Sequence, residues 1–443
     1  MLKLKKLLEY GLYFFVFLLP WQTSYKLREV FINGAKWEYG TICFYAIDIL
    51  LIVLFILFVI SNRRLRIKEN YKKTLKDKKK LYFFILILSL VVFSFLSIFW
   101  STDKILALYS VVKIAEAIAL FFLLLNVRFS WQKMFIAFIV AAVIQSGLSL
   151  WQFFQQATFA SSWLGMSFYD AQELGVSVVQ TPLRRWLRAY GSFQHPNILG
   201  GYLAISLVLT TGLYLKIQNK IQQNYKILLI RLSLLLVYCL QFSALLVSFS
   251  RSAWIAIAFS LSSIFLLAII KKQKEEILNL IKIFIISAGI IGIFFTVFQE
   301  PFLARVKIRG RLETKSVEER INYTTEAKNL IKENWLVGAG IGNYTLASYY
   351  KTGKKYPAWH FQPVHNVYLL VLAELGIIGF LLFFAILISA VRFLNFKKIN
   401  FTFFTFLSLL IIAFFDHWLW SLHFGILFFW LILSIMVKYD YEN

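Results

Sequence analysis

Four basic residues of this chain stand where they could do chemistry together. Arg188 opens the stretch Arg188-Ala189-Tyr190-Gly191-Ser192-Phe193-Gln194-His195-Pro196-Asn197, and Arg251 sits in Ser248-Phe249-Ser250-Arg251-Ser252-Ala253-Trp254. Arg320 lies in the longest hydrophilic interval, 299–364, and His365 starts the apolar run that ends it. Arginine presents a planar fork of donors that matches phosphate oxygens and stays charged at any cellular pH, so a set of arginines suits a diphosphate. Histidine, with a reference pKa of ~6.5, can take a proton near neutrality. An arginine at a membrane boundary ordinarily only snorkels its charge into water, so these four matter only if the fold brings them to one face.

The elements that must position them are membrane spans. Of the 443 residues 60% are hydrophobic, and mean hydropathy is +0.70, well above a soluble globule. Apolar runs of ~20 residues, enough to cross ~30 Å of hydrocarbon, fill most of the chain. They predict an all-α, polytopic membrane protein of about twelve spans: 7–21, 40–60, 81–100, 105–127, 132–152, 197–215, 227–247, 252–270, 277–298, 365–387, 401–415 and 418–436. The last two could instead form a re-entrant pair. The basic start (Lys3, Lys5, Lys6) resembles a signal peptide, but no small-residue cleavage site follows, and the first run reads as a retained span.

The net charge of +25 is better explained by topology than by nucleic acid, because no basic patch sits on a foldable soluble domain. Loops 1–6, 61–80, 128–133, 216–226, 271–276, 392–398 and the tail carry roughly 25 Lys and Arg, against about 8 on the opposite short loops. The positive-inside rule then makes both termini cytoplasmic. The run Arg63 to Lys80 reads as a solvated orientation signal. Cys43 and Cys239 fall inside apolar runs, which excludes a disulfide framework and a Cys-X-X-Cys metal site.

Two loops of substance remain outside, 153–196 and 299–364. In the second, Ser316 and Glu319 make a capping box for an amphipathic helix over 317–335, with Arg320 in its first turn. Gly338, Gly340 and Gly342 end that helix in a turn. Tyr344, Tyr349, Tyr350, Tyr356, Trp359 and Phe361 then form either an interfacial belt or a wall for stacking on sugars. This topology brings Arg188, Arg251, Arg320 and His365 to the same outer surface.

The ordered motifs RxxGxFxHPN from Arg188, SxSRxxW around Arg251, the Arg320 helix ending in GxGxGNY, and HNxYLxxxxELGxxG from His365 resemble the O-antigen ligase and polymerase family of bacterial membrane proteins. The resemblance covers roughly 180–430. It implies a GT-C-like helical fold and a division into N-terminal spans with the first outer loop (1–180), a ligase-like core (181–436) and a cytoplasmic tail (437–443). It also implies transfer of a glycan from a polyprenyl-pyrophosphate donor to a lipid, glycan or protein hydroxyl at the outer face of the cytoplasmic membrane, by inversion and without a metal or other cofactor. The family's catalytic positions fall on Arg251, Arg320 and His365. Arg188, His195, Asn197, Asn366, Tyr368 and Glu374 belong to the same motifs and are assigned to substrate binding.

The residues support that chemistry independently. Arginines can stabilise a diphosphate leaving group, and His365 can deprotonate or orient the attacking hydroxyl. The sequence has no Asp-X-Asp motif or His/Asp cluster at ligand spacing on the outer loops, so no metal is expected. His195 suits a lining or capping role better than a base. Glu374 stands ~13 Å along a helix from His365, too far for a direct pair. Lys113 and Glu116, three apart, neutralise each other, while Asp416, His417 and His423 flank the last hairpin. A polymerase of the same family, a protein O-oligosaccharyltransferase and a transporter are the alternatives. A transporter would put paired charges and broken helices at mid-membrane. The orientation predicts that a cysteine at Lys354 is labelled by an impermeant reagent in intact cells and one at Lys72 only after permeabilisation. The reverse pattern would invert the topology.

Overall fold

The computed structural model describes residues 2–62, 77–218, 225–308, 310–352, 356–394 and 400–442. Most of the basic run used for orientation, 63–76, and position 354 lie outside the described residues. Long apolar runs can satisfy their backbone in hydrocarbon only as helices or closed barrels, and here they form helices.

The chain opens with α1 (Leu2–Leu18), a hairpin of β1 (Ser24–Ile32) and β2 (Ala35–Tyr45), and α2 (Ala46–Asn62). Then come α3 (Lys78–Leu96), α4 (Lys104–Asn126) and α5 (Trp131–Gln155), and a loop with the short pair β3 (Val178–Gln180) and β4 (Arg185–Leu187). The next four long helices are α6 (Pro196–Gln218), α7 (Tyr225–Val247), α8 (Arg251–Ile270) and α9 (Lys274–Val297). The long loop holds α10 (Gln299–Val306), α11 (Arg311–Glu333) and α12 (Tyr344–Thr352), and the chain closes with α13 (Val367–Val391), α14 (Phe401–Phe415), the one-turn α15 (Trp418–Ser421) and α16 (His423–Glu442).

Among the described residues, eight helices, α3 to α9 and α13, are long and apolar enough to cross a membrane. Three further apolar stretches, Ala46–Ser61, Phe401–Phe415 and His423–Tyr439, are shorter. This is the build of a multi-pass, predominantly helical membrane protein. The centre is α6, whose apolar window is entirely buried, packed among α5, α7, α8 and α14. The hairpin and the loops before α4, α6, α8, α13 and α16 gather at one end of the bundle, here the loop end. Arg28 of β1 grips Asp103 with two hydrogen bonds (3.1 and 2.5 Å), and the Asp103 amide donates to Asn343 (2.7 Å).

The structure corrects the sequence reading in three places. Residues 40–45 are strand, so the second span starts at Ala46 and the loop end carries a third substantial element, the hairpin. Its signal was Asn33-Gly34: both have positive φ (51° and 79°), the geometry of a tight two-residue hairpin turn. Trp37 of β2 is buried, and its indole donates to the Phe361 carbonyl (3.3 Å), tying the hairpin to the long loop. Second, α11 starts at Arg311 rather than 317, and its N-cap is Gly310 without a side-chain bond. Ser316 and Glu319 are therefore interior and Arg320 stands in the third turn. A buried ion pair at Glu313 draws the helix start upstream of the apparent capping box. Third, α13 is interrupted at Gly376 (φ 61°, ψ −169°).

At that interruption the segment after α11 runs alongside. Ile377 donates to the Trp335 carbonyl (2.8 Å), while Ala339 and Gly340 donate to Ala373 and Glu374 (both 2.9 Å). Backbone groups freed by the break are thus paired with protein, as burial requires. A Cβ on Gly376 would lie 2.3 Å from the Leu336 carbonyl oxygen, in a left-handed conformation that disfavours any side chain. Gly376→Ala should lower stability by at least ~2 kcal/mol, read as the thermal midpoint in detergent. Gly289→Ala, where a Cβ meets nothing within 4 Å, should leave it near wild type.

Candidate active site

The turn between α7 and α8 is clamped from two sides. Phe249 is fully buried with φ 48°, and its carbonyl accepts from Arg305 Nε (2.8 Å). The neighbouring Ser248 carbonyl accepts from Arg188 Nε (3.0 Å). Arg305 Nη1 also reaches both oxygens of Glu313 (2.8 Å each), and both side chains are buried. A buried charge needs such a partner, so this pair fixes α10 and the start of α11 against the turn. Arg251, the first residue of α8, is then held with its Nη2 3.6 Å from Glu313.

Arg251 and Arg320 line one cavity of about 490 Å³ between α8 and α11. Thr324 and Lys328 continue its α11 wall, Ile255 lies one turn below Arg251, and Phe415 closes another side. No acidic residue lines it among the described residues. Arg320 Nε is buried there without a hydrogen-bond partner, a donor left for an anion.

Next to this wall, Phe415 leads into Asp416, the organiser of a second group. His365 Nδ1 faces Asp416 Oδ1 at 3.4 Å, and the His417 amide donates to the same oxygen (2.8 Å). Asn197 donates to Asp416 Oδ2 (2.8 Å), and Arg188 Nη2 donates to Asn197 Oδ1 (2.6 Å). A continuous chain therefore runs Arg188–Asn197–Asp416–His365. The His417 ring lies 5.0 Å from His365, and the Tyr323 ring, next to Thr324, lies 6.1 Å away. Burial alone would raise the Asp416 carboxyl, but the hydrogen bond to His365 and the charges of His365, His417 and Arg320 hold it well below the ordinary range. Burial and the nearby His365 push His417 down to about 3. His195 is pushed to about 3 by burial and by Arg188; its Nδ1 accepts the Asn197 amide (3.1 Å), and its Nε2 meets Ser177 (3.1 Å). It is a neutral histidine capping α6.

Residues 234–384 match the family model described as O-antigen ligase. The match supports the resemblance to the O-antigen ligase family over that stretch, which is less than half of the chain. No curated protein matches the chain. The O-antigen ligase match contains Arg251, Arg320 and His365, whereas Arg188, Asn197 and Asp416 lie outside the matched stretch and reach it only through the fold. The matched stretch supports a glycosyltransferase-like role in general terms, and the apolar helices support a membrane protein.

Of the residues picked out in the sequence, the structure brings Arg251 and Arg320 to one cavity and Arg188, His195 and Asn197 to the network behind His365. The others meet protein. Asn366 caps α13 and donates to the Phe414 carbonyl (2.9 Å), and the Tyr368 hydroxyl donates to Leu410 (3.1 Å). Glu374 is buried and accepts from the Trp420 indole (2.9 Å). Lys113 does pair with Glu116 (3.0 Å), but it binds Asp48 more closely (2.6 Å), and Asp48 also holds His423 (2.7 Å). His423 thus belongs to a separate buried group, away from Asp416 and His417. Sequence reasoning passed over Arg305, Glu313 and Lys328, and the only hint was an acidic residue upstream of a helix start.

The expectation that no His/Asp cluster forms is also corrected: ligand atoms of His365, Asp416 and His417 lie within 4.8 Å of one another, close enough to share a cation. Fifty residues separate His365 from Asp416, so no local spacing could reveal it.

Both buried histidines bear on pH. Their folded pKa values lie below the ordinary value of ~6.5, so the unfolded chain takes up protons first as pH falls. Stability present above pH 6.5 should therefore decline steadily towards pH 4. Thermal midpoints in detergent should fall across this window, and His195→Gln should flatten the slope. An unchanged slope would mean that His195 is not held neutral.

Proposed function

We propose that the chain transfers an oligo- or polysaccharide from a polyprenyl-pyrophosphate donor to an acceptor hydroxyl, at the loop end of the bundle on the outer face of the cytoplasmic membrane. The observation that carries this is the cavity that Arg251 and Arg320 line from separate elements, with no acidic residue in its described lining and with Phe415 leading from its wall to the His365–Asp416 pair. The arginine forks take the two phosphates and stabilise the charge that gathers there as the donor breaks. The apolar side chain of Ile255 and the half-exposed Phe259 one turn further along α8 offer a lane for the lipid.

In the proposed reaction the acceptor oxygen attacks the anomeric carbon from the face opposite the diphosphate. The bond from that carbon to the phosphate oxygen breaks, its electron pair stays on the polyprenyl diphosphate, and the configuration inverts. The acceptor proton passes to His365 Nε2. Asp416, at Nδ1, fixes the tautomer that leaves Nε2 free to accept and then stabilises the imidazolium. Arg188 and Asn197 hold Asp416, and Glu374, Asn366 and Tyr368 hold α13, so these residues act as supports of the site. Surface-polysaccharide polymerisation uses the same chemistry with a second lipid-linked repeat as acceptor. The spans do contain a broken helix at Gly376 and a buried charged group of Lys113, Asp48 and His423, but the open cavity and its cations lie at the loop end of the bundle, which favours the enzyme over a transporter.

Arg251→Lys and Arg320→Lys should each weaken donor binding, because a point charge cannot reproduce the fork. His365→Ala should bind donor but lose at least ~10²-fold in turnover, and Asp416→Asn should show a loss of the same kind. Near wild-type transfer by His365→Ala would remove it as the base. The arginines make a divalent cation unnecessary, so transfer should persist in excess chelator. Collapse restored by magnesium or manganese would instead assign a metal to His365, Asp416 and His417.

A further inference from the structure

The cavity contains a third cation that the diphosphate reading leaves unused. Lys328 lines it together with Arg251 and Arg320, and no ion pair or hydrogen bond engages its amine among the described residues. Four glutamates of α11 are committed elsewhere: Glu313 to Arg305, Glu319 to Lys315, Glu326 to Ser348 and His360, and Glu333 to Lys351.

Position separates Lys328 from the arginines. Arg320, Thr324 and Lys328 follow at intervals of four and share one face of α11. At 1.5 Å per residue, Lys328 lies ~12 Å further along the axis than Arg320. Arg251 sits at the opposite end, because its partner Glu313 is near the start of α11. Thr324, midway between Arg320 and Lys328 in the cavity wall, follows Tyr323, whose ring lies 6.1 Å from that of His365. A donor with its diphosphate at the arginines and its anomeric carbon opposite His365 therefore points its sugars towards Lys328.

The charges reinforce this. A diphosphate diester carries one negative charge on each phosphorus, which Arg251 and Arg320 match, since Glu313 is already neutralised by Arg305. One positive charge is left over at the sugar end. Resting on the function proposed above, we propose that Lys328 reads an anionic group, a uronate carboxylate or an acidic substituent, on the sugar nearest the diphosphate, so that the chain selects acidic donor glycans.

The test is binding, which needs no acceptor. The full chain, wild type or Lys328→Gln, is reconstituted in phosphatidylcholine liposomes. Two synthetic polyprenyl-diphosphate disaccharides, identical except for glucuronate or glucose as the first sugar, are titrated alongside free polyprenyl diphosphate. Wild type should bind the glucuronate donor about tenfold more tightly than the glucose donor, and Lys328→Gln should abolish that preference. Equal losses on both donors would make Lys328 a diphosphate contact and overturn the proposal. So would a wild type without preference, the behaviour of a merely solvated lysine. If wild type binds none of the three ligands, including free polyprenyl diphosphate, the diphosphate site itself is wrong.

Discussion

One buried carboxylate holds the loop end together. Asp416 follows the end of α14, yet its two oxygens receive Asn197 from the start of α6, His365 from just before α13 and the adjacent His417 amide. A carboxylate removed from water is tolerated only when its lone pairs are filled, and removing a partner from a buried charge typically costs several kcal/mol. Arg188 adds positive charge behind Asn197 without touching the carboxylate. Three chain segments far apart in sequence are thereby brought to one point, and the histidine proposed as base acquires a fixed orientation from the same bonds.

A second buried pair does the corresponding work for the arginine side. Arg305 and Glu313 join α10 to α11, and the Nε of Arg305 also secures the strained turn at Phe249. Because Glu313 spends its charge on Arg305, Arg251 is positioned by an ion pair at 3.6 Å but not consumed by it. The cavity keeps its positive character for that reason. A site suited to an anion has to withhold its cations from nearby acids, and here Glu313, Glu319, Glu326 and Glu333 of α11 have partners other than the cavity's Arg320 and Lys328.

The long loop is anchored by backbone as well as by charge. The segment from Trp335 to Gly340 lies against the break in α13, and Asn343 and Asp103 tie its continuation to the start of α4. The hairpin of β1 and β2 is fastened across the top through Trp37, and the Tyr39 ring rests 5.7 Å from that of His417. The loop helix carrying Arg320 is consequently held at both ends, which sets its distance from His365.

The sequence by itself determined the helical class and the approximate limits of the long spans, because ~20 uninterrupted apolar residues have few other ways to satisfy their backbone. It also made Arg251, Arg320 and His365 legible, since their motifs are local and contiguous. It could not disclose what those residues face. Asp416 lies about fifty residues from His365, Glu313 looked like an ordinary acid ahead of a capping box, and the Asn33-Gly34 turn was overshadowed by the apolar run into which its second strand merges. Capping signals and apolar length are properties of a few neighbouring residues. The filling of a buried carboxylate, the withholding of a cation and the pairing of a broken helix depend on which distant segments meet, and only the tertiary structure decides that.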